Sequence, residues 1–162
     1  GVAYLVHGSV RKGGSKLRVT AQLIEAATGG HVWAERYDRQ LSDIFSLQGE
    51  ISKTIVSQLQ VSLLPSELQA IERAPTGNVE AYTCYLKGRE LFHRGREADY
   101  REAKQMFAQA INLDPSFARA YAGLADCDAF LFMDYSQNVA PEVFKNSEMA
   151  LALDPTLNEA HA

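Results

Sequence analysis

The chain has 162 residues, enough for one ordinary domain or two small ones. Hydrophobic residues make up 46% and charged residues 22%, the balance of a soluble globular protein. The formal net charge of −4 argues against a nucleic-acid surface, which needs a basic face.

No apolar run approaches the roughly 20 residues that a membrane span requires, and residues 1–10 read as a strand without a basic leader or cleavage pattern. The first residue is Gly, so the sequence is expected to be a piece of a longer protein, cytoplasmic in location. Cys84 and Cys127 have neither metal-type nor disulfide-rich spacing, as reduced thiols on helices would.

Period-two alternation dominates residues 2–37. Leu17, Val19, Ala21 and Leu23 fall on one face, with Arg18, Thr20 and Gln22 on the other, the pattern of a half-buried strand. Val2, Tyr4, Val6 and Val10 alternate upstream, but Ala3 and Leu5 are also apolar, so that strand is expected to be covered on both faces. "RKGGSK" (residues 11–16) supplies a hairpin turn, "ATGG" (27–30) a second turn, and "HVWAERY" a third strand.

The period then changes. Ile44, Leu47, Ile51, Ile55, Leu59 and Leu63 form one apolar stripe, predicting a helix of about six turns. Ser42 or Asp43 is placed to cap it and Pro65 to stop it. "RAPTGN" (73–78) breaks both patterns and marks a boundary. The expected organisation is an α/β module over residues 1–72, a linker over 73–79 and a helical region over 80–162. Tyr82, Tyr85, Leu86 and Leu91 mark a first helix there, and Ala103, Phe107, Ala110 and Ile111 a second. Ala118, Tyr121, Leu124 and Ala125 open a third, and Val143, Phe144, Met149 and Leu151 mark a fourth. "INLDPSFARAYA" (111–122) returns as "LALDPTLNEAHA" (151–162), which reads as a repeat boundary.

This half resembles the tetratricopeptide motif, a helix-turn-helix of about 34 residues. Gly88 matches the small residue of its first helix, and Tyr100, Ala103, Phe107, Ala110 and Pro115 match the aromatic, small and proline positions of its second. The second copy departs: Asp128 stands at an aromatic position, and "FLFMDYSQNVAP" lengthens the loop. The first half, from "YLVHGSV" to "SLQGEI", is similar to the C-terminal part of the TolB N-terminal-like (FlgO-like) domain. That module order resembles bacterial signalling proteins, namely class III adenylate/guanylate cyclases or winged-helix transcription regulators. The resemblances imply an α+β chain: a partial three-stranded antiparallel sheet with a long helix, then an all-α array of about two tetratricopeptide repeats and the start of a third.

Chemistry-bearing patterns are sparse. "GGSK" (13–16) lacks the spacing and the following helix of a phosphate loop. His7, His31, His93 and His161 form no ligand spacing, so neither a metal nor a cofactor is expected. Trp33 reads as a sheet-face or core residue. By transfer of the repeat geometry, Tyr85, Arg89, Glu90, Arg119, Asp126 and Phe130 are candidate partner-binding positions. The expected function is a non-catalytic regulatory segment of a signalling protein, binding a protein partner or itself through the repeat face or an open sheet edge. Two alternatives are a small-ligand or nucleotide sensor, with its pocket between Trp33, Tyr37 and the helix, and the regulatory region of a winged-helix regulator. Direct nucleic-acid or membrane binding is not expected.

Overall fold

The computed structural model describes residues 2–60, 63–64, 68, 71, 73–135 and 140–157. The chain divides into two compact units, Gly1–Ala74 and Pro75–Ala162.

In the first unit, strands β1 (Tyr4–Gly13), β2 (Lys16–Glu25) and β3 (His31–Gln40) form an antiparallel meander in the order β1-β2-β3, as the alternation predicts. Gly14 (φ 61°) makes the first turn and Gly29 (φ 69°) the second, a region that favours glycine. A short 3-10 turn (Leu41–Asp43) leads into helix α1 (Ile44–Gln58). Leu17, Tyr37 and Leu47 form the buried core, joined by Val19, Trp33, Ile44 and Ile51, so the apolar stripe of α1 does close one face of the sheet.

Three local expectations change. Strand β1 is exposed at every residue, because α1 lies over the β2–β3 side and nothing described covers β1. The helix stops at Gln58, where Gln60 takes φ 53°, so Leu63 lies beyond it; Pro65 is outside the described residues. Neither Ser42 nor Asp43 caps the helix: the Ser42 hydroxyl donates to Asp43 Oδ1 (3.0 Å), and no side-chain cap bond forms.

The second unit holds helices α2 (Val79–Phe92), α3 (Glu97–Leu113), α4 (Ala118–Tyr135) and α5 (Ala140–Leu153). Asn78 caps α2, accepting from Glu80 N (2.9 Å) and Ala81 N (3.0 Å), while its Nδ2 donates to Leu113 O (3.1 Å). The start of α2 is thereby tied to the end of α3. Phe107 of α3 is fully buried between Gly88 of α2 and Gly123 of α4. The ring of Tyr85 lies against it (centroids 5.8 Å apart), and Ala81 of α2 and Ala103 and Ala110 of α3 are fully buried as well.

The expected fold class needs correcting. The chain is α+β: among the described residues a three-stranded antiparallel sheet is followed by five α-helices, and these do not form a tetratricopeptide array. Four helices make two hairpins of unequal construction: α3 buries Asp99, Tyr100, Ala103, Phe107 and Ala110, whereas α5 buries Ala150 alone. A solenoid needs three or more like units to bury a continuous core; the expected third start, residues 158–162, lies outside the described residues. What repeats is the chemistry of a helix exit. Asp114 Oδ1 accepts from Ser116 N (3.0 Å) and Oγ (2.6 Å), and Asp154 Oδ1 from Thr156 N (3.1 Å) and Oγ1 (2.7 Å). Phe117 N and Leu157 N each donate to the same Asp's carbonyl at 3.1 Å, and both side chains are buried. Each "LDP" thus ends a helix and turns the next apolar residue inward, which requires no array.

Candidate functional site

The six candidate positions lie on α2 and α4, in different environments. Tyr85 is in the core, 7% exposed, with its ring 5.0 Å from that of Phe117. Its hydroxyl accepts from Arg89 Nη1 (3.2 Å), one helical turn on, and Arg89 Nη2 lies 3.3 Å from His93 Nε2. Arg89 Nε is buried without a hydrogen-bond partner among the described residues, an uncommon state for a guanidinium donor. Glu90 is exposed between Lys87 (3.0 Å) and Arg94 (2.6 Å), whose hydrogen bonds hold its carboxyl below the usual range. Arg119 is exposed near the start of α4, and Asp126 is half-buried. Phe130 stacks on Tyr100 (5.5 Å) and meets Phe92 edge-on (5.4 Å), so it belongs to an aromatic cluster. Tyr85 and Arg89 are therefore brought together, and Phe130 joins a separate group.

Sequence reasoning missed two features. One is the buried ion pair between Lys104 Nζ and Asp128 Oδ1, which links α3 to α4. Asp128, flanked by Cys127 and Ala129, signalled it as an acid set directly among apolar residues of α4. The other is a set of exposed apolar side chains: Phe132 (48%) and Met133 (64%) on α4, and Phe144 (69%) and Met149 (42%) on α5. Large residues on both helices carried that signal, but spacing alone did not say which face is covered.

Other reactive groups stand apart. Burial pushes the Cys127 thiol up to about 12, which keeps it protonated and unreactive. His7 Nδ1 lies 2.7 Å from Gln22 Nε2, while His31 pairs across the sheet with Ile24, so the two histidines do not share a site. Among the described residues no three His, Cys, Asp or Glu side chains converge as a metal site would require. No described helix is long and apolar enough to cross a membrane. Tyr37 is 3% exposed against Leu17 and Leu47, so the space between Trp33, Tyr37 and α1 is filled by core. An open cavity lies at the end of the β1–β2 hairpin.

No protein-family model matches the chain, so none supports the TolB-like or tetratricopeptide resemblance. A Rhizobium meliloti (strain 1021) protein named "Putative adenylate cyclase 3" is 36% identical over 153 residues, which make up 94% of this chain. The chain spans 26% of the length of that curated relative. It is therefore similar to one segment of a protein that carries the name of a signalling enzyme.

Proposed function

We propose that the chain is a non-catalytic regulatory segment of a cytoplasmic, adenylate cyclase-like bacterial signalling protein, and that its helical unit docks a protein surface. The TolB-like resemblance of residues 1–72 fits a regulatory module, and the likeness to a protein named for a cyclase supplies the signalling context.

The observation that carries the docking reading is the exposed apolar set Phe132, Met133, Phe144 and Met149. Exposed apolar surface of this kind costs solubility unless a partner covers it. Aromatic and Met side chains are also the types that dominate the centres of protein interfaces. Helix α5 buries Ala150 against Ala118 and Ala122 of α4, which leaves Phe144 and Met149 exposed for a covering surface.

The test is a pair of Ser substitutions, Phe132→Ser and Phe144→Ser, in a longer protein that contains the chain and has cyclase activity. Expected are a change in regulated activity and, by sedimentation, the loss of an associated species. If both substitutions leave regulation and association as they were, the docking reading fails.

A further inference from the structure

Alternation along the strands places Arg11, Lys16, Arg18, Arg36 and Asp38 on the sheet face opposite the α1 core. In the ladder Arg11 stands directly across from Arg18, and Arg18 directly across from Asp38. Like charges directly opposite destabilise an antiparallel pair. The one carboxylate of this set is already committed: Asp38 binds Arg18 Nε at 2.6 Å and lies 3.7 Å from Arg36. The side chains of Arg11 and Lys16 make no hydrogen bond or ion pair among the described residues.

An open cavity of about 700 Å³ sits at this end of the sheet, lined by Arg11, Lys16 and Arg18 together with the acids Asp38 and Asp43. Gly13 contributes no side chain, and a Cβ there would meet nothing within 4 Å, so the floor beside Arg11 and Lys16 is open. That volume lies in the range of small-molecule sites, about 300–1,000 Å³. Arginine forks and a lysine point charge match the oxygens of phosphate groups. A polynucleotide is the poorer fit, because the patch is confined to one strand end of a chain with net charge −4.

We propose that the β1–β2 hairpin end binds the oligophosphate group of a small anion, pyrophosphate or the triphosphate of a nucleotide, through Arg11, Lys16 and Arg18. The bound anion relieves the Arg11–Arg18 repulsion and occupies donors that the free protein leaves to water. This site is independent of the docking surface on α4 and α5, and either can fail without the other.

Calorimetric titration of the 162-residue chain with magnesium-free pyrophosphate and with ATP tests the proposal. Saturable one-to-one binding below about 1 mM is expected, weakening as salt rises. Arg11→Ser and Lys16→Ser, both at exposed positions, should each weaken it about tenfold, the loss of one charge-assisted hydrogen bond. Lys145→Ser, on exposed α5 surface, should change nothing. Equal affinity for the two probes means the phosphates alone are read, and tighter ATP binding means that the nucleoside also contacts the cavity; both support the site. Overturning results are no saturation with either probe, an equal loss in Lys145→Ser, or binding only to single-stranded RNA or anionic vesicles.

Discussion

A β-carbon on Gly123 would stand 2.7 Å from the ring of Phe107. A β-carbon on Gly88 would stand equally close, 2.7 Å from the same ring, so the ring packs tightly against both helices and has no slack toward either. Phe107 is 0% exposed and has no outward route either. Two effects compete in Gly123→Ala. Alanine raises helix propensity by about 1 kcal/mol, while overpacking costs about 1–3 kcal/mol. With the ring trapped, overpacking should win, and adding Phe107→Leu should restore part of the loss. Urea unfolding followed by circular dichroism at 222 nm reports mainly on the helical unit. The single tryptophan, Trp33, reports on the sheet unit and should be unaffected. A more stable Gly123→Ala would show that the ring is not confined.

The Lys104–Asp128 pair yields a second prediction. The Asp128 side chain is 2% exposed and that of Lys104 30%, so the carboxylate depends on its partner far more than the ammonium does. Lys104→Ala should therefore cost about 3–5 kcal/mol, the usual penalty for leaving a buried charge unpaired. Lys104→Met with Asp128→Leu removes both charges and keeps the volume, and should recover most of that loss. A double variant as unstable as Lys104→Ala would mean that the pair itself, and not the orphaned acid, holds α3 against α4.

These relationships show what was legible in the sequence. Strand alternation in Leu17–Leu23 and the stripe in α1 fixed the sheet unit, because a pleated strand and a helix each impose one period. The "LDP" segments marked two helix ends correctly, but their likeness came from side-chain bonds of Asp114 and Asp154 within two residues. Such local chemistry recurs wherever a helix exits this way and carries no information about stacking. The candidate positions on α2 suffered from a related limit. Tyr85 and Arg89 are one turn apart, and their burial depends on where Phe107 and Phe117 arrive from distant parts of the chain. The basic hairpin end was hidden for another reason: Arg11, Arg18 and Asp38 become neighbours only through strand register.

Thiol reactivity offers a third check. Cys127 is fully buried, and desolvation raises its pKa to about 12, so essentially none is thiolate at pH 8. Cys84 is partly exposed on α2. A disulfide-exchange reagent at pH 8 should titrate one thiol in the native protein and two in denaturant. Cys84→Ser should abolish the fast phase. Two equivalent native thiols would place Cys127 at the surface or reveal frequent opening of α4.

Acid should destabilise the helical unit partly through Asp114. Hydrogen bonds from Ser116 and Thr76 hold its carboxyl below the ordinary range. A lowered folded-state pKa means that the unfolded chain takes up the proton first as pH falls. The stabilisation is whole above the unfolded carboxylate pKa of about 4 and is lost as pH drops through the lower folded value. Asp114→Asn cannot ionise, so its stability should decline less steeply between about pH 5 and pH 3. It should also start lower at pH 7, since a neutral acceptor makes the weaker bonds to Ser116 and Thr76. Asp99, lowered by Arg96, and Glu90, lowered by Lys87 and Arg94, remain in the variant, so a residual acid slope is expected. Urea midpoints by circular dichroism across that pH window measure the difference. Parallel curves for the two proteins would remove Asp114 from the acid response and leave its bonds to Ser116 and Thr76 with a purely positional role.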